Sequence, residues 1–397
     1  MIQNKEIILR SKNDEFLRRF HPWVFSGAIS SKSSNLSEGD LVKVFSFEKE
    51  FLGIGHYQIG SIAVRILSFQ DEKIDESFYE RRITSAYNMR NELMLIRSDN
   101  NVYRLIHGEG DYLPGLIIDM YGSTAVVQAH SVGMHTDQQL IAEALKRVFK
   151  NYTDFNIFYK SEGTLPFKAE IDFGDSYIYG SKSETHIAVE NGLKFKIDWL
   201  KGQKTGFFID QRDNRSLLEH YSKGRNVLNM FSYTGGFSVY ALRGGASEVV
   251  SVDSSSKAIS IAEENVEMNF GNVPRHHSSS EDGFKFLSEI PHDKYNLIVL
   301  DPPAFAKHRG AINNALQGYK RLNHAAFSKI APGGIVFTFS CSQVISKEQF
   351  RLTVFSAAAL SGRKVKILHQ LTQPTDHPVN IYHPEGEYLK GLVLYVE

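Results

Sequence analysis

The stretch that most constrains this chain is Val227–Ser238, VLNMFSYTGGFS. It opens as an apolar run, passes through small and polar residues, and reaches Gly235-Gly236 just before FSVYAL, which reads as the start of a helix. Neither glycine carries a Cβ, so the backbone can bend sharply there and a ligand can come close. A strand, a tight glycine turn and a helix make the first unit of an open α/β sheet, which places its ligand beyond the carboxyl ends of the strands. The dinucleotide fingerprint GxGxxG is absent, so the ligand need not be a pyrophosphate.

One such turn could be an ordinary loop, but the pattern recurs. EVVSV (248–252) is a second apolar run, with Asp253 at its end. An acid roughly 20 residues after the glycine turn meets the ribose hydroxyls of a nucleotide-like ligand. Asp282, in SSSEDGFKFL, falls where a third strand should end. YNLIVL (295–300) runs straight into Asp301-Pro302-Pro303, and a fifth run from Gly333 to Ser340 ends at Cys341. Two further strands, 364–370 and 388–396, are separated by a loop holding Pro374, Pro378 and Pro384. That spacing predicts a hairpin closing an otherwise parallel sheet.

At 397 residues, two or three domains are expected. Residues 1–70 read as short strands: 6–9, 41–47, 51–56 and 63–67. The run from Leu41 alternates poorly, which suggests cover on both faces. HPWVFSG (21–27) packs aromatics densely; it is either the core of a small barrel or, with Arg18, Arg19 and His21, a surface for nucleic-acid bases. A helix is expected over 74–94, then strands at 102–106, 115–120 and 124–129, a helix capped at Thr136-Asp137 and a strand near 155–159. Together these make a small α+β module over 75–185, whose charged residues read as a solvated face. A hairpin turning at Asn191-Gly192 opens the last domain, 190–397.

Lysine plus arginine equals aspartate plus glutamate, 45 each, so any nucleic-acid patch must be local. The amino terminus lacks the apolar core of a signal peptide, and no run is long enough to span a membrane. The single cysteine excludes an internal disulfide and a cysteine-based zinc site. A cytoplasmic setting, with no metal and no membrane partner, is the expectation.

HPWVFSGAI, GDLVKV, FLGIGHYQ and IAVRIL together resemble a PUA domain, a pseudo-barrel that binds structured RNA. QKTGFFIDQRDNR, NMFSYTGGFS, LDPPAFAK, SCS and YLKGL resemble the bacterial 23S rRNA 5-methylcytosine methyltransferases, class I enzymes dependent on S-adenosylmethionine. The likeness spans nearly the whole chain. It implies a β-rich PUA pseudo-barrel, a small α+β module and a Rossmann-like α/β methyltransferase domain. It also implies Thr205, Phe208, Gln211, Arg212, Tyr233, Gly235, Asp253 and Asp282 as cofactor contacts, with Asp301 beside them. Asp253 would hold the ribose and Asp282 the adenine. The implied partner is 23S rRNA or a pre-ribosomal particle. Oligomeric state stays open, a homodimer among the options.

The residue chemistry bears on the reaction independently. Carbon 5 of cytosine has no lone pair, so a thiolate must first add to carbon 6 before carbon 5 can accept a methyl group. Cys341, flanked by the small Ser340 and Ser342, is the candidate nucleophile. Asp301 is the second catalytic candidate, able to keep a proton on cytosine N3. Phe305 could stack on the base and Lys307 meet a phosphate. The competing readings are a buried structural cysteine for Cys341 and a strand-end cap for Asp301. Two other functions stay open. One is methyl transfer to nitrogen, at guanine N7 or an exocyclic amine, although Ala304 departs from the amino-methylating motif. The other is a non-catalytic RNA-binding protein.

Overall fold

The computed structural model describes residues 5–165, 174–181 and 186–397, so residues 1–4 and two parts of the expected central module, 166–173 and 182–185, lie outside it. The chain forms two compact units. The first comprises Met1–Asn191, Ile197–Ile209 and Thr375–Gly386; the second comprises Gly192–Lys196, Asp210–Pro374 and Glu387–Glu397.

The first unit holds two sheets. Strands β1 (Lys5–Leu9), β2 (Trp23–Phe25), β3 (Ile29–Lys32), β4 (Leu41–Phe45), β5 (Phe51–Tyr57) and β6 (Ile62–Ser68) form a sheet in the order β2-β6-β5-β4-β1-β3. Its core is Ile7, Leu9, Leu17, Val24, Val42, Val44, Val64 and Ile66. Strand β4 does not have the cover on both faces that its sequence suggested. Val42 and Val44 are buried, whereas Leu41 is exposed, so the strand alternates after all.

The second sheet orders β11 (Ser176–Tyr179), β10 (Asn156–Tyr159), β9 (Thr124–Ala129), β8 (Leu116–Tyr121) and β7 (Val102–His107). The helix expected over 74–94 runs from Glu76 to Glu92, capped by Asp75, whose carboxylate accepts from the amides of Ser77 and Phe78. Such a cap satisfies amides that have no partner within the helix. The helix Gln138–Val148 lacks the expected side-chain cap, and Thr136 ends the short helix Val132–Thr136 before it. Asp137 instead accepts from Tyr79 Oη at 2.5 Å and lies 3.0 Å from His56 Nε2.

The charges of this module are not all solvated, contrary to the sequence reading. Arg90 is fully buried and donates from Nη2 to Asp111 Oδ2 at 2.7 Å. Arg104 clamps the buried Asp119 with two bonds, 2.7 and 2.9 Å. Arg90 also donates to the carbonyl of Asp376, and Asp376 Oδ2 accepts from the Arg104 amide. These bonds place the late segment 375–386 within the first unit, although the sequence reading put it in the last domain.

Between the two expected hairpin strands, β12 (Ile187–Glu190) and β13 (Leu193–Lys196), Asn191 and Gly192 both adopt positive φ, 49° and 79°, as a tight primed turn requires.

The second unit is built on β14 (Asn226–Met230), β15 (Glu248–Asp253), β16 (His276–Ser280), β17 (Leu297–Leu300), β18 (Gly334–Ser340), β19 (Val365–Leu371) and β20 (Lys390–Val396). Their order is β16-β15-β14-β17-β18-β20-β19, the first five parallel and the last pairings antiparallel. The strand order reverses between β14 and β17, the place where open α/β sheets bind ligands. Strands β17 and β18 are buried at every residue, as expected when both faces of a parallel sheet are covered. Leu228, Val252, Leu300, Val336 and Leu394 pack with Tyr319, Leu322, Phe327, Phe350 and Val354, from the helices Ile312–Lys329 and Lys347–Ser361. Burying each such side chain stabilises by about 1.5–3 kcal/mol.

Candidate active site

Within the second unit, the carboxyl ends of the parallel strands gather six of the expected residues at one edge of the sheet. Tyr233 and Gly235 follow β14, Asp253 ends β15, Asp282 follows β16, Asp301 follows β17 and Cys341 follows β18. The topology explains this: parallel strands in one sheet all end on the same side.

The turn after β14 is tight. Phe231, Tyr233 and Gly235 all have positive φ, at 58°, 46° and 77°. A Cβ on Gly235 would lie 2.8 Å from the Ala262 Cβ, so both its backbone angle and its packing demand glycine. The turn is pinned to β15, because the Tyr233 amide donates to Asp253 Oδ2 at 2.9 Å. Asp253 Oδ1 accepts from the Ser255 amide at 2.9 Å. Each carboxylate oxygen keeps a further lone pair for a ligand hydroxyl. Ser232 Oγ in the same turn is buried and has no hydrogen-bond partner among the described residues. A carboxylate pinned to the turn and a buried hydroxyl within it are a donor and acceptor set that fits a nucleoside. Asp282 is exposed and caps the helix Gly283–Glu289 by accepting from the Lys285 amide at 2.9 Å.

The lead-in residues divide between the units. Gln211 and Arg212 are buried in the second, where Gln211 Oε1 accepts from Asn214 Nδ2 at 2.6 Å and Arg212 opens the helix Arg212–Tyr221. The cap position of that helix is held by Gln211, without a side-chain cap bond. Asp210 Oδ2 accepts from Tyr388 Oη at 2.7 Å. Thr205 and Phe208 lie in the first unit. The Thr205 hydroxyl is buried, donating to Asp119 Oδ2 at 2.6 Å, with Tyr121 Oη 2.9 Å away. The Phe208 ring carries Lys204 Nζ 4.8 Å above its centroid.

The loop after β17 and the tip of β18 are tied together. Ser342 Oγ accepts from the Ala306 amide at 3.3 Å and lies 3.2 Å from Tyr319 Oη. Ser340 Oγ donates to the same Tyr319 oxygen at 3.0 Å. The two serines that flank Cys341 are therefore buried fasteners, a role their small size alone did not reveal. Cys341 between them is partly exposed. Burial raises the Tyr319 phenol above its ordinary value, and a negative charge on Cys341 would push it the same way. Phe305 packs on Tyr319, their centroids 4.6 Å apart, so part of its ring is already covered; Lys307 is exposed.

Lys390 is a neighbour that the sequence reading did not use. It is 5% exposed and donates from Nζ to the Ser342 carbonyl at 2.7 Å. The available signal was one charged residue opening the apolar strand KGLVLYV. Tyr319 left no signal beyond a place on the buried face of its helix.

The aromatic cluster of the first unit is part core, part surface. Val24 is fully buried, Phe20 and Phe25 are 48% and 41% exposed, and the His21 ring meets Phe16, Trp23 and Phe25. Both nearby arginines are paired with carboxylates: Arg18 with Asp14 and Glu50, Arg19 with Glu15. Among the described residues, no group of three or more histidine, cysteine, aspartate or glutamate side chains could hold a metal ion, and no helix is long and apolar enough to cross a membrane.

Residues 103–381 match an S-adenosylmethionine-dependent methyltransferase family, and residues 7–69 match a PUA-like domain. The ribosomal RNA large subunit methyltransferase I of Tolumonas auensis is 38% identical over 394 residues, covering 98% of each chain. Its counterpart from Aeromonas hydrophila is 39% identical over 393 residues, again covering 98% of each. A solved structure described as a SAM-dependent methyltransferase from Streptococcus mutans superposes with a TM-score of 0.83 at 22% identity, covering 98% of this chain and 100% of that one. A methyltransferase complexed with SAH gives 0.84 at the same identity and coverage. At that identity the structural likeness speaks to the fold: a PUA-like domain followed by a class I methyltransferase α/β domain. S-adenosylmethionine is accordingly the cofactor, and the chain belongs to the S-adenosylmethionine-dependent methyltransferase family that includes these large subunit methyltransferases I.

Proposed function

We propose that this chain methylates carbon 5 of a cytosine in 23S ribosomal RNA through a covalent bond between Cys341 and carbon 6. The relatives' name supplies the RNA class. The observation that carries the chemistry is the fastening of the Asp301–Ala306 loop to the tip of β18 through Ser342 and Tyr319, with the chain's sole cysteine at that tip. A nucleophile and a carboxylate meant for one small ring must be held in fixed register, and such positioning is worth several orders of magnitude in rate.

The cofactor supplies an electrophilic methyl group. Cys341 as thiolate adds to carbon 6, and the ring electrons make carbon 5 the nucleophile. Asp301 holds a proton on N3 and so offsets the charge that accumulates on the ring. After methyl transfer the carbon 5 proton leaves to a base, the carbon–sulfur bond breaks, and the thiolate is restored. Asp253 is assigned to the ribose hydroxyls, Asp282 to the adenine, and Tyr233, Gly235, Gln211 and Arg212 to the walls around them. Pro302 and Pro303 fix the direction of the Asp301 loop by removing backbone freedom.

Cys341→Ala tests this reading. Methyl transfer to large-subunit RNA should fall about 10³-fold or more, as when other covalent nucleophiles are removed, while S-adenosylmethionine binding is unchanged. Full activity in that variant would instead favour transfer to nitrogen, for which no thiol is required.

A further inference from the structure

The proposed nucleophile has a charged neighbour. Lys390 opens β20 and stands opposite Ser340 in the β18–β20 pairing, one residue before Cys341. Its Nζ reaches over to the carbonyl of Ser342, one residue after Cys341. The lysine backbone is thus paired just before the cysteine and its ammonium is bonded just after it. A buried ammonium is costly unless an opposite charge compensates it. Among the described residues Lys390 makes no ion pair with a carboxylate. The charged groups acting on it are Lys347, which opposes its charge, and Cys341, which favours it. Lys347 is itself paired with Glu387 at 2.6 Å. The Tyr319 phenol, pushed up by burial, stays neutral.

We infer that Lys390 is the counter-ion of the Cys341 thiolate, a positioning residue that keeps the sulfur ionised for attack. This rests on the nucleophilic role proposed above. Starting from the neutral amine and thiol, the S–H bond breaks and an N–H bond forms, so the proton passes to the lone pair of Lys390 Nζ and the net charge does not change; where Nζ is already an ammonium, the thiol proton leaves to solvent and the same ion pair results. The balance is close enough for this. Burial brings Lys390 down to about 8, beside an ordinary thiol value of roughly 8.5. A neighbouring cation lowers a thiol further.

Because Cys341 is the sole cysteine, iodoacetamide labelling of the full chain reads this thiol alone. The labelling rate against pH should have its midpoint about one unit higher or more in Lys390→Met than in the wild type, with Lys390→Arg close to the wild type. Methyl transfer by Lys390→Met should be reduced about tenfold at neutral pH and recover as the pH is raised, which a purely structural defect would not do. An unshifted midpoint in a Lys390→Met protein that still binds S-adenosylmethionine would overturn the inference. Cys341→Ala gives a reciprocal measurement if the lysine variants fail to fold. Without the thiolate, Lys390 Nζ should titrate at lower pH by NMR, and an unchanged titration would equally overturn the pairing. Labelling does not involve RNA, so the two proposals can fail separately. Methyl transfer that survives in Cys341→Ala sinks the cytosine chemistry alone, whereas an unshifted labelling midpoint beside a dead Cys341→Ala sinks the ion pair alone.

Discussion

Ser342 shows how a residue with no reactive group of its own can govern a reactive one. Its hydroxyl is shared between the Ala306 amide and Tyr319, so it sets the distance from the Asp301 loop to the cysteine strand end. Ser342→Ala would leave a buried amide short of a partner, at a cost of about 1–3 kcal/mol in stability. The looser loop should lower kcat on the order of 10- to 100-fold, because small misplacements of reacting groups are expensive. S-adenosylmethionine affinity should not change; steady-state kinetics with isothermal titration separates the two effects. At this scale the strand-end positions of Asp253, Asp301 and Cys341 could be read directly, since each ends a recognisable apolar run. Ser342, Tyr319 and Lys390 could not be assigned roles, because their partners lie on other elements and leave no local spacing to read.

At the scale of elements, the strands of the second unit carry a buried polar chain. Asn229 Nδ2 on β14 donates to Ser238 Oγ at 2.9 Å, Ser238 meets Ser251 Oγ on β15 at 2.6 Å, and Ser251 meets His276 Nε2 on β16 at 2.9 Å. Burial brings His276 down from 6.5 to about 4, so the folded chain holds it neutral. The unfolded chain binds a proton there near pH 6.5 and the folded chain does not, so unfolding gains protons as the pH falls. This part of the stability is complete above about pH 6.5 and is lost progressively toward about pH 4. Melting temperatures measured across that window should fall more steeply for the wild type than for His276→Asn. Parallel curves would contradict it. Most of the sheet itself was evident in the sequence, because buried strands such as β17, β18 and β20 are apolar runs; β19, with no buried residue, was placed by its pairing in the closing hairpin. Strands β2, β3 and β11 were not, being three or four residues long with little or no buried alternation to betray them.

At the scale of the whole molecule, the two units are not contiguous in sequence, and this was the least legible feature. Segment 375–386 joins the first unit through Asp376, which reaches Arg90 and Arg104 across more than 270 positions. Such bonds leave no periodic trace. They also make the buried pair Arg90–Asp111 a point of fragility: Asp111→Ala would strand a fully buried guanidinium, costing about 3–5 kcal/mol. Chemical denaturation should record that loss, and a cost below about 1 kcal/mol would mean that Arg90 is satisfied without its partner. The catalytic claim is tested most directly by incubating the wild-type chain and S-adenosylmethionine with large-subunit RNA in which 5-fluorocytidine replaces cytidine. Fluorine takes the place of the carbon 5 proton and cannot leave as a cation, so a denaturation-resistant protein–RNA species should accumulate, and its cross-linked peptide should contain Cys341. RNA that is bound yet yields no covalent species, or one joined through another residue, would contradict the account.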